Sequence, residues 1–231
     1  MEGPTLVREA IVAGAPIEAV FVAPGAGDAA ADAWARGMRV YDLADGVLER
    51  VAGTVTPQPV LAIVGMVDVE LGALAGPGAD PRPVVVCADV RDPGNLGTVL
   101  RSAEAAGAAG VVCCDGTVDA YNPKSVRASA GALFHVPLVV GGEPADVLDA
   151  LRATGRCAIG AAARRGAAYT EQDLSRSVLV IGNESNGLPA GLDDHVDGFV
   201  HIPMEGRSES LNVGMACTAL CFEAARQRRG R

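Results

Sequence analysis

The sequence predicts an α/β protein with a small N-terminal α/β domain and a larger C-terminal domain built on a parallel sheet. Stretches with helical apolar spacing alternate along the chain with short Val- and Ile-rich runs, as in layered α/β folds. The runs of the C-terminal part are almost continuously apolar, which is typical of parallel strands covered on both faces. A stretch rich in Gly, Pro and Asp at residues 74–83 indicates a linker. We therefore place the domain boundary near residue 77, which divides the chain into residues 1–77 and 78–231.

The N-terminal part contains three predicted helices and three predicted strands. Each helix ends in a glycine, Gly14, Gly37 or Gly53, which is a common stop signal. Helices and strands alternate in the order "TLVREAIVAG", "IEAVFVA", "DAAADAWARG", "MRVYDL", "DGVLERVAG" and "VLAIVGMV".

The C-terminal part continues the alternation over a greater length. Strands are predicted at "PVVVCADV", "AGVVCCDG", "VPLVV", "RCAIGAAA", "SVLVIGNE" and "GFVHIPM". Helices are predicted at "NLGTVLRSAEAAG", "KSVRASAGALFHV", "EPADVLDALRATG" and "SLNVGMACTALCFEAARQRR". Because open parallel sheets bind ligands at the carboxyl ends of their strands, we expect the functional site there.

Composition narrows the class of protein. Hydrophobic residues make up 49% of the 231 residues and aromatic residues 3%, so the core is built from Ala, Val, Leu and Ile. No apolar run approaches the roughly eighteen residues of a membrane helix, and the first residues lack the layout of a signal peptide, so we expect no membrane partner and a cytoplasmic protein. The six cysteines form no C-x-x-C pair, which favours buried reduced thiols over a metal site.

The charge balance is unusual for a protein that would bind nucleic acid. The net charge is −9, and residues 1–78 carry four arginines against ten acidic residues, a net charge of −6. An acidic chain is a poor general binder of nucleic acid, so any RNA binding would depend on arginines placed on particular faces.

Polar side chains follow the first strand of the C-terminal part, in "DVRDPGNLGTVLRSAEAAGA". A turn leads into a helix that we expect to begin around Asn95, and Gly94 and Gly97 would let a ligand or another backbone approach closely. Asn95 as a helix cap and Arg101 as a solvated helix charge would explain both residues without a function.

Two further strand ends carry hydrogen-bonding side chains. In "VLVIGNESNGLP", Glu184 comes directly after a buried strand, where a carboxylate needs a partner or a task, unless it belongs to an ordinary polar turn. In "HIPMEGRSESLNVGMACTAL", Ser208 and Ser210 come just before an apolar helix, where "SESL" could supply the cap. We predict that Asn212 lies inside that helix, where asparagine is unfavourable unless it is hydrogen-bonded.

Taken together, "DPGNLGTVLRSAEAAGA", "VLVIGNESNGLP" and "IPMEGRSESLNVGMACTAL" resemble the motifs of the SpoU (TrmH) family of RNA ribose 2′-O-methyltransferases. The resemblance covers about residues 82–228. More loosely, "EGPTLVREAIVAGAPIEAVFVA" resembles the ribosomal-protein-like domain that binds the RNA substrate in many family members.

The resemblance implies a C-terminal domain with a deep trefoil knot that binds S-adenosylmethionine. It also implies a homodimer packed partly through the last helix, whose apolar residues are Met215, Ala219, Leu220 and Phe222. By position in the family's motifs, the cofactor-binding residues are Ala161, Ala162, Ala163, Gly182, Asn183, Ile202, Pro203, Met204 and Leu211.

The resemblance also assigns catalytic roles. Arg101 matches the arginine beside the ribose 2′-hydroxyl. Because a guanidinium is a poor base, we expect it to hold the hydroxyl and a neighbouring phosphate. Asn95 would position the ribose or Arg101, and Glu184 would anchor Arg101 or Asn95. Ser210 and Asn212 would fix the third loop and reach the hydroxyl.

Several other cations are candidates for RNA contacts. Lys124 and Arg127 match a family segment beside the substrate channel, although a solvated helix face would explain them equally well. Arg164, Arg165 and the basic end "RQRRGR" are further candidates for phosphate contacts, with a solubilising tail as the alternative for the last.

The resemblance favours ribosomal RNA over transfer RNA as the substrate, because the attached N-terminal domain is typical of ribosomal RNA enzymes. Two alternatives stay open, a non-catalytic RNA-binding or assembly protein of the same fold and an enzyme that methylates a base nitrogen. The modified nucleotide, and a housekeeping or an antibiotic-resistance role, are not visible in the sequence.

Overall fold

The computed structural model describes residues 1–24, 26, 28–52 and 56–230, which form two compact units, Met1–Val67 and Asp68–Arg231. The division lies upstream of the boundary that we placed near residue 77. Residues after Val67 pack on the second unit, since the Val69 N–H donates to the carbonyl oxygen of Leu138 at 2.8 Å and Leu74 is buried in that unit's core.

The first unit is a three-stranded sheet with helices, as the alternation predicted. Strand β1 lies in the centre, parallel to β2 and antiparallel to β3, and its Val20 and Val22 face a core that includes Val7 and Ile11 of the first helix. Gly53, the predicted stop of the third helix, lies outside the described residues. The elements are α1 (Pro4–Val12), β1 (Ile17–Val22), α2 (Asp28–Ala35), β2 (Val40–Asp42), α3 (Leu48–Val51) and β3 (Val60–Val64).

The second unit contains the predicted strands and helices together with three short elements that the sequence did not suggest. These are the helical turn α4 (Gly72–Ala75), the two-residue strand β8 and a 3₁₀ turn at Leu192–His195. The other elements are β4 (Val84–Cys87), α5 (Pro93–Ala105), β5 (Gly110–Cys113), α6 (Pro123–Ser129), a 3₁₀ turn (Ala132–Phe134), β6 (Leu138–Val140), α7 (Pro144–Arg152), β7 (Ala158–Ala161), β8 (Ala167–Ala168), β9 (Val178–Ile181), β10 (Gly198–His201) and α8 (Val213–Arg229).

The seven strands of the second unit form one parallel sheet in the order β6-β5-β4-β9-β7-β10-β8, which confirms the predicted parallel sheet. From β4 the chain builds outward through β5 and β6, and it later returns to add β9 on the other side of β4. The neighbours β4 and β9 therefore mark a switch point, where α/β sheets form crevices at the carboxyl ends of their strands.

The core of the second unit is built on these central strands, which are buried along their whole length. Five cysteines are buried, and burial raises the pKa of the Cys114 thiol to about 12. The expectation of a buried thiol is wrong for Cys157, which is exposed just before β7 begins. Within the described ranges, no helix is long and apolar enough to cross a membrane, and no group of three or more His, Cys, Asp or Glu side chains could hold a metal ion.

Candidate functional site

Three side chains from distant parts of the chain form a hydrogen-bonded set at the switch point of the sheet. The Asn212 side-chain amide donates to Oδ1 of Asn95 at 2.8 Å, and Nδ2 of Asn95 donates to Oε1 of Glu184 at 2.8 Å. We call Asn95, Glu184 and Asn212 the polar triad. Its members are separated by 89 and 117 residues along the chain, so only the tertiary fold brings them together.

Asn95 is held by the first turn of α5. The helix begins at Pro93, and its cap is Asp92, whose Oδ1 accepts a hydrogen bond from the Asn95 N–H at 2.9 Å. The interpretation of Asn95 as the cap is therefore wrong, because the turn "DPGN" places the capping carboxylate three residues earlier. The Asn95 side chain is consequently available for contacts outside its own helix.

Glu184 joins the loop after β9 to the start of α5. Besides Asn95, its carboxylate accepts hydrogen bonds from the backbone N–H groups of Asp92 at 3.2 Å and Arg91 at 3.4 Å. Burial by itself would raise the pKa of Glu184, but the hydrogen bonds from Asn95 and the backbone outweigh it and lower the pKa. Of the two partners proposed for Glu184, the structure shows Asn95, and the carboxylate is exposed rather than close to the core.

Asn212 is the cap of α8, and the prediction that it lies inside the helix is wrong. Its Oδ1 accepts hydrogen bonds from the N–H groups of Gly214 at 2.9 Å and Met215 at 3.3 Å, while its Nδ2 reaches Asn95. Ser210 and Ser208 are exposed and precede this cap. One asparagine thus fixes the start of α8 and connects it to α5.

The helices α5 and α8 touch through small residues that the sequence reading missed. A Cβ atom at Gly214 would lie 2.9 Å from Thr98, and the hydroxyl groups of Ser102 and Thr218 lie 2.7 Å apart. Spacing by three or four residues along each helix is the signal that could have identified this contact. On another face of α5, Gly97 lies against the backbone of α6, so the close approach expected at this glycine involves protein rather than a ligand.

A cavity of about 230 Å³ opens beside the polar triad. Of the residues predicted to bind the cofactor, all except Pro203 line it, together with Glu184 and Ser210. The lining also contains residues that the family's motifs did not assign to the cofactor, namely Ile181, Ser185, Gly187, Val200, Val213, Ala216 and Leu220. The cavity walls are thus formed by the segments that follow β7, β9 and β10 and by the first turns of α8.

The loop after β9 is held in shape by Asn183. Its N–H and carbonyl form two hydrogen bonds with Gly187, at 2.7 and 3.0 Å, and its side chain donates to the carbonyl oxygen of Asp89 at 3.1 Å. Asp89 has φ of 68°, a left-handed conformation that is uncommon for residues other than glycine. The Asn183 side chain is therefore held by hydrogen bonds within the protein at the edge of the cavity.

The candidate cations differ in whether they already have partners. Lys124 lies 3.4 Å from the Asp92 carboxylate, and Arg164 and Arg165 pair with Glu209 and Asp193 at 3.0 and 2.5 Å. Arg101 and Arg127 are exposed, and within the described part of the chain neither side chain has a hydrogen-bond or ion-pair partner. Arg101 lies on α5 beyond Asn95 and is not part of the polar triad.

Comparison with known families identifies the chain. Residues 82–222 match the model of the SpoU rRNA Methylase family. The chain belongs to the SpoU rRNA methylase family. Residues 1–62 match the MRM3-like substrate binding domain, a module that accompanies the SpoU domain in this chain.

Two relatives of this SpoU chain are named as methyltransferases of ribosomal RNA. The chain is 39% identical over 187 residues to the 23S rRNA (guanosine(2553)-2'-O)-methyltransferase RlmP of Bacillus subtilis (strain 168). The matched region covers 80% of this chain and 72% of the relative. It is 40% identical to the 23S rRNA (uridine(2479)-2'-O)-methyltransferase of Streptomyces viridochromogenes, over 59% of this chain and only 50% of that relative.

Solved structures of SpoU proteins share the fold over almost the whole chain. The SpoU methyltransferase AviRb of Streptomyces viridochromogenes in complex with AdoMet superposes with a TM-score of 0.87 and 31% identity, covering 99% of this chain and 89% of AviRb. The AdoMet-bound rRNA methyltransferase of Sinorhizobium meliloti gives a TM-score of 0.83 and 32% identity, covering 98% of this chain and 86% of that protein.

Proposed function

We propose that the chain transfers the methyl group of S-adenosylmethionine to a ribose 2′-hydroxyl of ribosomal RNA. The observation that carries the proposal is the polar triad, which lies beside a cavity lined mainly by apolar residues at the switch point of the sheet. Two similar proteins are named as 23S rRNA 2′-O-methyltransferases, and two similar structures contain AdoMet, which supports ribosomal RNA as the substrate and S-adenosylmethionine as the cofactor.

The residues around the cavity fit this cofactor. Ile202, Met204 and Leu211 offer apolar surface for an adenine, and the small residues Ala161–Ala163 and Gly182 leave backbone atoms accessible at its edge. Glu184 is the one charged residue among the described residues that line the cavity, which suits a cationic sulfonium. When bound, S-adenosylmethionine supplies an electrophilic methyl group.

The polar triad would position the ribose. Asn95 uses one amide hydrogen for Glu184 and accepts one hydrogen bond from Asn212, which leaves one donor and one acceptor for a ribose hydroxyl. Because Glu184 and Asn212 hold both ends of its amide, Asn95 would meet the substrate in one orientation. Such fixed orientation supplies a large part of the rate in a displacement reaction.

Arg101 would hold the reacting hydroxyl and a neighbouring phosphate. Within the described residues its guanidinium has no partner, so all five of its donors are available to RNA. A guanidinium offers donors and no acceptor, and we therefore assign it binding and orientation rather than removal of the proton. Ser210, which is exposed and lines the cavity, would form the remaining wall beside the hydroxyl.

The proposal extends to the architecture that the family resemblance implies. We propose that the segments lining the cavity belong to a deep trefoil knot, and that two chains form a homodimer through α8 in the cytoplasm, where ribosomes are assembled. Met215 and Phe222 support the dimer because they are 61% and 45% exposed on α8, whereas Leu220 is buried. Measurement of the molar mass in solution tests it, and a monomer would contradict this part of the proposal.

Titration calorimetry with S-adenosylmethionine and S-adenosylhomocysteine is the first test. We expect binding near one site per chain, followed by methyl transfer to a 23S rRNA transcript and recovery of a 2′-O-methylated nucleoside after digestion. A methylated base would instead indicate a base methyltransferase, and transfer to tRNA alone would reassign the substrate. Absence of cofactor binding with and without RNA would favour the non-catalytic alternative.

Replacement of Arg101 separates binding of the cofactor from catalysis. We expect Arg101→Ala to lower transfer at least about 100-fold, as loss of a group acting on the reacting atoms does, with unchanged affinity for S-adenosylmethionine. Arg101→Lys keeps the charge without the planar fork, so it should restore only part of the activity. Full activity of Arg101→Ala would remove this assignment.

A further inference from the structure

Arginines gather at the amino ends of the same strands whose carboxyl ends carry the polar triad and the cavity. Arg82, Arg176 and Arg156 each lie two residues before a strand, β4, β9 and β7 respectively, and these strands are neighbours in the sheet. Arg228, near the end of α8, joins them. We call these four residues the arginine edge.

Arg156 is the buried member of the arginine edge. It is 6% exposed, and its guanidinium donates to the carbonyl oxygens of Leu74 at 3.3 Å and Asp80, and to the hydroxyl of Thr154 at 2.5 Å. All these acceptors are uncharged, and within the described residues no carboxylate forms an ion pair with Arg156. A buried charge without a counter-ion is unfavourable, so the site is suited to an anion.

Arg156 and Arg176 line a cleft of about 410 Å³ between residues 75–81 and residues 153–156. Arg176 is exposed and, among the described residues, has no hydrogen-bond or ion-pair partner. Burial and the nearby Arg176 lower the pKa of Arg156, although the Asp80 carboxylate opposes this effect. The Asp80 carboxylate is itself paired with Arg82 at 2.7 Å, so it does not neutralise the cleft.

The positive charge continues from the cleft to the end of α8. Arg82 and Arg228 both donate to the carbonyl oxygen of Gly107 at 3.3 Å, and Arg228 also donates to that of Ala106 at 2.7 Å. These carbonyls end α5, and a helix C-terminus favours cations, which explains Arg82 and Arg228 in part. The C-terminus of α5 does not explain Arg156 and Arg176. In a chain of net charge −9, the presence of these two arginines beside Arg82 needs a further reason.

We propose that the arginine edge binds the phosphate backbone of the substrate RNA, with one phosphate in the cleft between Arg156 and Arg176. This proposal rests on the proposed function, which makes RNA the substrate. A strand of four residues such as β4 is roughly 13 Å long, so a folded RNA can reach both ends of the sheet. The contact would raise the affinity for RNA, which the acidic composition of the chain lowers, and it would not take part in the reaction.

The test compares the salt dependence of RNA binding between variants. A labelled 23S rRNA transcript is titrated with the wild-type chain and with Arg176→Ala across a range of salt concentrations. We expect a several-fold weaker affinity and a slope of log K against log salt that falls by about one, as for the loss of one phosphate contact. Affinity for S-adenosylmethionine and the transfer rate at saturating RNA should not change.

Arg226→Ala is the matched control. Arg226 lies on the same end of α8 and is exposed, but the Glu223 carboxylate already neutralises it at 2.7 Å. Its removal should leave the salt slope almost unchanged, whereas Arg176→Ala should lower it. Equal slopes for wild type and Arg176→Ala would overturn the proposal.

Two further comparisons distinguish failure of the arginine edge from failure of the proposed function. Inorganic phosphate is titrated alone, and tight binding of phosphate with unaltered RNA affinity in Arg176→Ala would assign the cleft to a small anion and overturn the RNA contact. If the wild-type chain methylates RNA and Arg176→Ala retains full RNA affinity, only the arginine edge fails. If the wild-type chain binds no RNA, both this proposal and the proposed function fail.

Discussion

The two ends of β4, β9 and β7 carry opposite chemistry. At the carboxyl ends a carboxylate, Glu184, accepts hydrogen bonds from N–H groups at the start of α5, and an asparagine caps α8. At the amino ends guanidinium groups donate to carbonyl oxygens, including those that end α5. Helix N-termini present free N–H groups and helix C-termini present free carbonyl groups, so the direction of the connections decides which kind of side chain each end can hold.

Asn95→Ala should give the largest effect, because it removes the centre of the polar triad at the carboxyl ends. Both Glu184 and Asn212 lose a partner, and we expect transfer to fall about 100-fold or more, a loss typical of positioned polar groups in active sites. Steady-state methyl transfer to 23S rRNA measures it, with a thermal melt to verify folding.

Asn186→Ala is the control for this change. Asn186 is exposed in the loop after β9, its backbone N–H donates to Asn183, and its side chain has no hydrogen-bond partner among the residues that the structure describes. It should keep most of the activity. If Asn95→Ala and Asn186→Ala were equally active, the carboxyl ends would not be the catalytic side of the sheet.

The contrast between the two ends was only partly visible in the sequence. The strand-helix alternation predicted the parallel sheet, and the three motifs identified the family, because both depend on local patterns. The hydrogen bonds of the polar triad join residues 89 and 117 positions apart, and no local pattern specifies which of several polar side chains will meet. Glu184 therefore had two candidate partners until the fold selected Asn95.

Local signals also misled where two residues competed for one role. Asn95 is a good capping residue. Asp92, however, precedes a proline, which is favoured at the first position of a helix, and the Asp92 carboxylate is the N-cap. Arg156 reads as an ordinary charge before a strand. Its burial follows from residues 74–82, which fold over it and supply its carbonyl acceptors.

Arg156→Leu tests the amino ends and should give an intermediate effect, on stability rather than on chemistry. The carbonyl groups of Leu74 and Asp80 would lose their charged donor, and we expect a loss of about 1–3 kcal/mol in the free energy of unfolding. Denaturant unfolding measures it, and the affinity for S-adenosylmethionine should stay unchanged in the folded protein.

Arg176→Ala is the matched variant for stability. Its exposed side chain has no partner among the described residues, so the free energy of unfolding should change by no more than about 0.5 kcal/mol. An equal loss for Arg156→Leu and Arg176→Ala would contradict the structural role of the buried guanidinium.

Glu184→Gln should have a smaller effect on stability than Arg156→Leu, and that effect should depend on pH. Hydrogen bonds from Asn95 and the backbone outweigh burial and lower the pKa of Glu184 in the folded chain. The ionised carboxylate therefore stabilises the fold above the pKa of an unfolded glutamate, about 4.5. As pH falls through the lowered pKa, the folded protein takes up the proton and this contribution is lost. Wild type should therefore have a higher melting temperature than Glu184→Gln at neutral pH, and this difference should disappear in acid. Glu205→Gln is the control, because Glu205 is exposed and its side chain has no partner among the described residues. Its melting temperature should match that of wild type at both pH values. A gap that stayed constant down to acid pH would mean that the shape of the side chain, and not its charge, connects the loop after β9 to α5.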